Sequence, residues 1–556
     1  MSKTVVASYP KSEEFDMDLE SHTFTTATRY IRLGSFPTTP FISPDRTVAV
    51  IVDGAIYNYK ELAALLKGRG YQFTGKDESE CILHLYKEFK ENFVEKLEGT
   101  FSIVIADLKT NALLLARDRF GSRPLFYSLT KTSFYCGSEV KSILPYVDKS
   151  LEKSNLSKYF TFKYNPHSIQ TIFSSIQKVA PGHLITVNLS SNQIKTHQYW
   201  SPRFTPKYVG SYTDAKMELY EVLSSSVEEC LQSENPVGLF LSGGLDSSIL
   251  SILASKINPD IKTYSIGFRE ANEFDFIHKL TRDKNLTNHR YLFSERDIRS
   301  TLNDVIRFMN EPIADPSQLP LLELSKLVSK TCDTILSGEG ADELFGGHTQ
   351  YERVIRVKNT ADDIAYTQFL KQSGYFLDGD ILINPKFKNE LGNTLAFLKP
   401  FFLNPLLDGM LNMDQHTWLP SNTLPILDRT TSEVSIQSRL PYLNHKLVKL
   451  VNSFPPEWKL KTSRKQILKD VAKLIGIPTE IIAREKESFS VPVHKYLSGG
   501  LNSVLKETVR AEPFVSLNCL DSNRVRSITD NLTPATSLRV WTIFIFALWY
   551  NHISND

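Results

Sequence analysis

The run from Leu239 to Ser248 constrains the fold more than any other stretch of this chain. An apolar strand, Val237 to Leu241, leads straight into Ser-Gly-Gly-Leu-Asp-Ser-Ser, and the apolar segment Ile249 to Ile257 that follows has the composition of a helix. A strand that passes through a short glycine loop into a helix is the repeating unit of parallel α/β sheets. We therefore expect a parallel sheet wound with helices, with this loop at the carboxyl end of one strand.

The same loop is suited to bind phosphate. Glycines let the backbone approach phosphate oxygens closely, and the N-terminal end of the next helix attracts anions. Asp246 is placed to hold a Mg²⁺ that bridges the phosphates. The plainer alternative is a strand–turn–helix junction in which these residues only make the turn, but the Asp-Ser-Ser continuation favours a nucleotide site. The other loop residues expected to contact the nucleotide are Ser242, Gly243, Gly244, Ser247 and Ser248.

A second glycine-rich loop, Ser337 to Gly347, also follows an apolar strand and carries several carboxylates. Loops at the carboxyl ends of neighbouring parallel strands share one crevice. Asp342 is therefore expected to meet Asp246 at one Mg²⁺, and Glu339 to face the reacting carbon as a general base. The alternative is a solvated acidic turn that caps a helix.

Bulk properties exclude several classes of protein. With 556 residues, the chain is too long for one core, which predicts two or three domains. The net charge of +2 gives no drive toward nucleic acid or an anionic membrane. The five cysteines are scattered, which argues against a disulfide framework, and their spacing is not that of a metal site. The start lacks a signal peptide, and Val540 to Tyr550 is too short to span a bilayer, so a buried helix and a cytoplasmic protein are expected.

The pattern of elements changes near residue 205. Before it, short strand-like runs alternate with turns; after it, strands are separated by helix-length segments, and from about 350 the pattern is mostly helical. The polar stretch from 201 to 214, rich in proline and glycine, marks the boundary. We predict one domain over 1–205 and a second over 206–556.

The second domain resembles the asparagine synthetases, which are ATP pyrophosphatases. The resemblance runs through Ser242–Ser248, Tyr264–Phe268, Ser337–Gly347, Leu427–Arg429, Arg439–Leu443, Lys465–Lys469 and Arg484–Phe489. It implies a doubly wound parallel sheet with a helical C-terminal part, and a carboxylate activated by ATP as an adenylate. It also implies that Lys465 stabilises charge on the adenylate and the tetrahedral intermediate. The residues that would surround the adenosine and phosphates, besides those named above, are Leu241, Ser265, Gly267, Ser337 and Gly338.

The first domain resembles the glutamine-hydrolysing domain of the same family, an N-terminal-nucleophile αββα sandwich. The matches are Asp53–Tyr59, Leu97–Phe101, Ala116–Gly121, Pro124–Tyr127 and Ser138–Lys141. The catalytic groups differ, because Ser2 stands where the family has its cysteine nucleophile. Asp53 replaces the oxyanion-binding asparagine, Ala55 replaces a glutamate, and Glu78 stands where an aspartate grips glutamine. We predict a retained fold without glutamine hydrolysis.

The source of nitrogen must then be ammonia or an amine on another substrate. Relatives without the cysteine include β-lactam synthetases and the macrolactam synthetases of lasso peptides. The β-lactam synthetases resemble a pattern with Tyr at the position of Glu339, so β-lactam closure is disfavoured. Gln437 and Asn444 replace two family carboxylates, which suggests another acyl donor unless both are surface changes. The first hypothesis is an amide or macrolactam synthetase for a small-molecule or peptide substrate, with a precursor-peptide protease as partner. Ammonia-dependent asparagine synthesis is second and a non-catalytic scaffold third; a homodimer stays open.

Overall fold

The computed structural model describes most of the chain. It covers 40–75, 77–130, 133–233, 235–269, 272–356, 365–366, 368–370, 384, 397–484 and 491–555, together with the backbone of four strands before residue 40. These residues divide into two compact units. The first comprises 1–152 and 167–201, and the second comprises 153–166 and 202–556.

Two antiparallel sheets form the first unit. One has seven strands in the order β11-β9-β10-β1-β4-β3-β2, and the other has six in the order β13-β12-β8-β7-β6-β5. The strands are β1 Thr4–Ser8, β2 Met17–Asp18, β3 Thr23–Thr26, β4 Arg29–Leu33, β5 Phe41–Ile42, β6 Val48–Ile56, β7 Gly99–Asp107, β8 Ala112–Arg117, β9 Phe126–Leu129, β10 Phe134–Gly137, β11 Gln177–Lys178, β12 His183–Asn188 and β13 Ile194–Gln198. Two helices join them, α1 Tyr59–Gly68 and α2 Glu78–Phe89.

Alternation along β6 builds a separate core on each face of the six-stranded sheet. Val48, Val50 and Val52 pack with helices α1 and α2. Ala49 and Ile51 point the other way and pack with side chains of β9 and β10 from the seven-stranded sheet. Because side chains alternate along a strand, both faces of β6 are apolar only when both are covered. The contacts thus establish one layer of helices and two of sheet; a second helical layer stays a prediction.

The segment Ala116–Gly121 holds this unit together. The buried Asp118 carboxylate accepts hydrogen bonds from the backbone N–H groups of Phe101, Phe120, Ser122 and Arg123, at 3.0–3.2 Å. The buried Arg117 guanidinium donates to the carbonyls of Gly121, Arg123 and Val179. Two buried charges satisfied by so many backbone groups fix the loops between strands. The match to the family in this segment therefore reflects folding rather than chemistry.

A five-stranded parallel sheet forms the centre of the second unit, in the order β16-β15-β14-β17-β18. Its strands are β14 Val237–Phe240, β15 Lys262–Phe268, β16 Asn288–Phe293, β17 Thr334–Leu336 and β18 Gln437–Arg439. The chain proceeds from β14 to one side through β15 and β16, and then returns to the other side at β17. The strand order therefore reverses between β14 and β17, and a crevice opens at the carboxyl ends of such a pair.

Helices make up most of the rest of the second unit. Its helices are α3 Lys153–Phe162, α4 Tyr212–Leu231, α5 Leu245–Ile257, α6 Phe274–Asp283, α7 Glu295–Phe308, α8 Gln318–Val328, α9 Ala341–Phe345, α10 Thr349–Arg356, α11 Leu406–His416, α12 Leu424–Ser432, α13 His445–Ser453, α14 Pro456–Lys459, α15 Gln466–Leu474, α16 Thr479–Ala483, α17 Val493–Ser498, α18 Asn502–Thr508, α19 Glu512–Ser516, α20 Ser522–Asp530 and α21 Ser537–Asn555. The core of α21 is fully buried, as predicted for 540–550. Within the described residues, no helix is both long and apolar enough to cross a membrane.

The prediction of a mixed α/β chain, with stacked antiparallel sheets followed by a parallel sheet and a helical C-terminal part, is confirmed. One segment differs from the predicted division. Residues 153–166, assigned by sequence to the first domain, pack with the second unit. Tyr159 of α3 is fully buried there and donates a hydrogen bond to the carbonyl of Thr542 at 2.8 Å. The boundary at 205 itself stays a prediction.

Candidate active site

The first glycine loop is locked by its own side chains. Leu241 N–H continues the strand by donating to the carbonyl of Tyr264 at 2.8 Å. The hydroxyls of Ser242 and Ser247 lie 3.0 Å apart, and Ser247 Oγ also accepts from the N–H of Ser242. Gly243 between them has φ of +77°, a left-handed conformation that a side chain would strain. The loop is therefore held in one shape by contacts that span it.

This loop opens onto the N-terminus of helix α5. Gly244 precedes the helix and makes no side-chain cap, so the first N–H groups of the helix are left without a capping side chain at this position. Asp246 and Ser247 lie in that first turn, and Ser248 follows, buried. A helix of 13 residues carries a dipole whose positive end attracts phosphate. The predicted phosphate-binding geometry is thus available at the end of β14.

Lys465 joins the two loops. Its Nζ lies 2.5 Å from Asp246 Oδ2, in the first turn of α5, and 2.7 Å from Asp342 Oδ1, in the second loop. Burial of Lys465 opposes its charge, but the two carboxylates outweigh burial and raise the pKa of Lys465 above its usual value. Two aspartates and a lysine that are 96 to 219 residues apart in sequence therefore converge on one point in the crevice.

The close approach of Lys465 and Asp342 depends on two glycines that sequence reasoning did not single out. A β-carbon at Gly347 would overlap both Asp342 Oδ1 and Lys465 Cε. At Gly340, φ is +92°, and a β-carbon would overlap Leu443. The Gly-Gly pair at 346–347 is the signal in the sequence that could have shown this packing. Only a residue without a side chain leaves space for the ion pair.

Tyr442 is a second residue that the sequence did not reveal as part of the site. Its buried hydroxyl donates to the backbone carbonyl of Asp246 at 3.1 Å. Burial, with the carboxylates of Asp246 and Asp342 nearby, raises the pKa of Tyr442 far above its usual value, so the hydroxyl keeps its proton. Tyr442 therefore fixes the first turn of α5 as a neutral donor.

The second loop lies directly beside the first. A β-carbon at Gly338 would be 3.6 Å from Asp246 Cβ and 3.7 Å from the backbone nitrogen of Ser247. Ser337 is buried, and its N–H donates to the carbonyl of Arg439 at 3.0 Å. Glu339 is half-buried between the two loop glycines. The structure brings the predicted loop residues together, and the roles given to them stay predictions.

Ser265 and Gly267 support the first loop from the neighbouring strand β15. Ser265 Oγ donates to the carbonyl of Leu241 at 2.6 Å and accepts from Asn288 Nδ2 at 2.8 Å. A β-carbon at Gly267 would lie 3.0 Å from the ring of Phe274 and closer still to Asn272. The Ser265 hydroxyl is thus committed to the backbone of the loop, and the predicted contact of both residues with adenosine stays a prediction.

The donor set fits a magnesium ion that arrives with its nucleotide. Asp246 and Asp342 already reach one shared cation, the Lys465 ammonium. Mg²⁺ prefers one or two carboxylates completed by phosphate oxygens and water. Among the described residues, no group of three or more His, Cys, Asp or Glu side chains could hold a metal by itself. Two carboxylates suit a metal bound together with ATP better than a resident structural ion.

The positions that would grip glutamine in the first unit have other contacts. Glu78 Oε2 accepts from the N–H of Ile56 at 3.1 Å, and Ala55 is buried. Cys81 is also buried, and burial, together with the carboxylates of Glu78 and Glu80, raises the pKa of its thiol to about 12. A thiol that stays protonated is no nucleophile. Ser2 and most of the segment 484–489 lie outside the described residues.

The two replaced carboxylates have structural partners. Asn444 Oδ1 accepts from the N–H of Lys446 at the start of α13, and its Nδ2 donates to Glu229 at 2.7 Å. Gln437, on the edge strand β18, accepts from Arg439 at 3.3 Å. Helix capping and strand contacts account for both side chains without a substrate. The expectation that these two positions indicate a different acyl donor stays a prediction.

Comparison with protein families gives two matches. The model described as asparagine synthase matches residues 218–551, more than half of the chain, and the glutamine amidotransferase domain matches 29–200. "Asparagine synthetase [glutamine-hydrolyzing] 1" of Bacillus subtilis is 27% identical over 554 residues, covering 92% of this chain and 87% of the relative. "Asparagine synthetase [glutamine-hydrolyzing] 3" of the same organism is 28% identical, covering 84% and 79%.

Two solved structures to which the chain is similar have low TM-scores. Glutamine phosphoribosylpyrophosphate amidotransferase from B. subtilis has a TM-score of 0.25 at 10% identity, covering 67% of this chain and 73% of that one. NMN synthetase from Francisella tularensis has a TM-score of 0.23 at 11% identity, covering 62% and 96%. Scores of this size carry no functional information.

Proposed function

Because the chain belongs to the asparagine synthase family, we propose that it is an ATP-dependent carbon–nitrogen ligase that works without glutamine hydrolysis. It activates a carboxylate as an acyl-adenylate and couples the acyl group to an amine. The observation that carries the proposal is the convergence of Asp246, Asp342 and Lys465 beside an anion-binding loop. A structural turn has no need for one buried and two partly buried charges drawn from three distant segments.

In the first step, a carboxylate oxygen attacks the α-phosphorus of ATP and pyrophosphate leaves. The backbone N–H groups of the first loop and of the α5 N-terminus hold the departing phosphates. Asp246 and Asp342 would hold Mg²⁺, which neutralises phosphate charge when it is bound. Lys465 would then exchange part of its contact with the aspartates for the adenylate, whose negative charge favours the ammonium form.

In the second step, the amine attacks the acyl carbon and AMP leaves with the bonding electron pair. We propose that Glu339 accepts the proton that the amine loses. Lys465 stabilises the oxyanion of the tetrahedral intermediate. The first loop therefore holds phosphate in the first step, and the second loop handles the proton in the second step.

The proposal that glutamine is not the nitrogen donor rests on the first unit. Asp53, Ala55 and Glu78 replace the residues that would bind glutamine, and Glu78 is already bound to the backbone. Ser2 offers a hydroxyl in place of a thiol, and a hydroxyl ionises far less readily. Ammonia, or an amine carried by the acyl substrate, is the remaining source.

Two acyl donors follow from different observations. The loss of the glutaminase groups favours a specialised carboxylate whose own amine closes a lactam, as in a lasso-type peptide prepared by a partner protease. The two relatives named above are asparagine synthetases, which favours aspartate as the acyl donor, and ammonia would then replace the glutamine that their names specify. We propose the specialised substrate first and asparagine synthesis second, in a cytoplasmic enzyme.

ATP–pyrophosphate exchange distinguishes these cases. Purified protein is assayed with radiolabelled pyrophosphate, MgATP and either aspartate or a candidate peptide, with Asp246→Ala as the inactive control. Exchange with aspartate supports asparagine synthesis, and exchange only with a peptide or another acid supports the specialised ligase. No exchange with any acid, combined with no AMP release with ammonium present, leaves the scaffold hypothesis and refutes the ligase.

A further inference from the structure

The carboxylate of Glu273 lies against the first glycine loop. A β-carbon at Gly243 would lie 3.2 Å from Glu273 Cβ and 3.3 Å from Glu273 Oε2. Glu273 directly precedes helix α6, whose Ile277 packs on the same glycine. The acidic group is therefore held at van der Waals distance from the backbone that is expected to bind anions.

This placement creates an electrostatic problem for a triphosphate. Four carboxylates lie around the two loops among the described residues, those of Asp246, Asp342, Glu339 and Glu273, and the first two share the Lys465 ammonium. Arg464 also contacts the second loop, where it donates to the carbonyl of Gly347. A like charge near a bound anion weakens binding, and it does so more strongly in a partly buried crevice than in water. A Mg²⁺ ion offsets part of this charge, and a cation beside the first loop would offset more.

Arg484 supplies that cation. It follows helix α16, and its Nη2 forms an ion pair with Glu273 Oε1. The two side chains are only 14% and 26% exposed, and the guanidinium lies over the ring of Phe276 at 4.5 Å. Guanidinium groups present several N–H donors in a plane, so one edge can hold a carboxylate while another meets phosphate oxygens. The aromatic contact limits the conformations of the long side chain.

We propose that Arg484 binds the outer phosphates of ATP and the departing pyrophosphate, and that Glu273 positions its guanidinium at the loop. The inference rests on the proposed function, since it assumes that the loop binds ATP. Under it, the ion pair is part of the nucleotide site rather than a surface contact between two helices. It also gives a role to the first residue of the segment Arg484–Phe489, which carries part of the resemblance to the family.

The structure offers a matched control. Lys279 and Glu480 form a second ion pair, at 2.6 Å, between the same two helices, α6 and α16. Their side chains are 41% and 58% exposed, and an exposed pair of this kind contributes little. If Arg484 merely ties α16 to α6, removal of either pair should have the same kind of effect. If it binds phosphate, only Arg484 should affect phosphate-bearing ligands.

The test is isothermal titration with MgATP, pyrophosphate and AMP, without acyl substrate. Arg484→Gln is expected to weaken the binding of ATP and of pyrophosphate by about tenfold or more, which corresponds to the loss of one charge-assisted contact. The affinity for AMP should change by less than about twofold. Arg484→Lys, which keeps the charge but not the planar donors, should lose less and serves if the glutamine variant fails to fold. Lys279→Ala should bind all three ligands as the unaltered chain does.

For Glu273→Gln, the change in ATP affinity that we expect is opposite in sign to the change expected from charge repulsion alone. Removing a carboxylate beside the loop should strengthen ATP binding if Glu273 is a bystander. We expect it instead to weaken ATP binding by about threefold or more, because the guanidinium loses its anchor. Tighter binding in this variant overturns the positioning role.

The remaining outcomes separate the two proposals. Equal losses for ATP and AMP in Arg484→Gln, or no loss for ATP, overturn the inference about Arg484 while the ligase proposal stands. If the unaltered chain binds neither ATP nor pyrophosphate, the proposed function itself is overturned. Thermal melting of each variant verifies that the titrated protein is folded.

Discussion

Replacing Gly347 with alanine should stop the chemistry while leaving the fold intact. The backbone at 347 lies outside the left-handed region, so alanine fits its conformation. Alanine also reduces the number of conformations open to the unfolded chain, which would raise the free energy of unfolding by about 0.4–1 kcal/mol. The steric clash of the added methyl group opposes this gain. That methyl would overlap Asp342 Oδ1 and Lys465 Cε, so the two charged groups must separate.

The expected loss follows from the size of this displacement. Relieving the overlap requires the ion pair, now 2.7 Å long, to move by about an ångström, and such a misplacement of catalytic groups costs roughly 10²-fold in rate. The assay is ATP–pyrophosphate exchange with the best acyl substrate. Urea unfolding followed by circular dichroism supplies the stability, which should change by less than about 1 kcal/mol.

Gly346→Ala is the matched control, with the opposite expectation. Gly346 has φ of +69°, and the nearest atoms to its added β-carbon would be at 3.7 and 3.8 Å, in ordinary contact. Alanine there should cost roughly 1–2 kcal/mol through the left-handed backbone, yet leave exchange by the folded protein unchanged. If Gly347→Ala retains exchange within about threefold, or if the two variants behave alike, the convergence of Lys465 and Asp342 is not what drives catalysis.

Three further predictions concern other parts of the chain. Glu339→Gln should retain ATP–pyrophosphate exchange and lose amide formation, since only the second step needs a base; loss of exchange would make Glu339 structural. Burial lowers the pKa of Lys459 from 10.5 to about 8, so the unfolded chain binds more protons between these pH values and stability at this site rises with pH. Lys459→Met leaves Asp408 paired with Lys207. At pH 7, its free energy of unfolding in urea titrations should be higher than that of the unaltered chain by roughly 3 kcal/mol, and this difference should shrink toward pH 10.5. A difference that is independent of pH contradicts this prediction. Cys81 should resist iodoacetamide in the native protein at pH 8, and Cys81→Ser should keep the ligase activity; rapid alkylation would mean that the thiol is not buried.

Local patterns predicted the elements well, because their physical causes are local. The strand before the first loop was expected over Val237–Leu241 and spans Val237–Phe240. Its following helix was expected from Ile249 and begins earlier, at Leu245, because the loop ends at Gly244 and the Asp-Ser-Ser residues form the first turn. Periodicity of apolar residues shows where a helix has a buried face, but not where an uncapped polar turn starts.

Contacts between distant segments could not be read from the sequence. Lys465 was identified by resemblance, but its pairing with two aspartates depends on the left-handed backbone at Lys465, with φ of +57°, and on the space left by Gly347. The Gly-Gly pair at 346–347 marks this space in the sequence, but it does not show that the distant Lys465 fills it. The same holds for Glu273 and Arg484, which are 211 residues apart. Gln437 and Asn444, which suggested another acyl donor, have partners within the fold that their own sequence windows do not show, and that expectation stays a prediction.

Helix α3 has a practical consequence for how this protein can be taken apart. The first unit ends at 152, resumes at 167 and ends again at 201, so residues 153–166 of the second unit interrupt its sequence. A fragment starting at 206 would therefore lack α3, and with it the rings of Tyr159 and Phe160, which contact Phe546 in tilted and edge-on arrangements. Cutting the gene at the apparent domain border would remove a buried aromatic layer from the catalytic half. Swapping or deleting the first half of the gene must spare these fourteen residues.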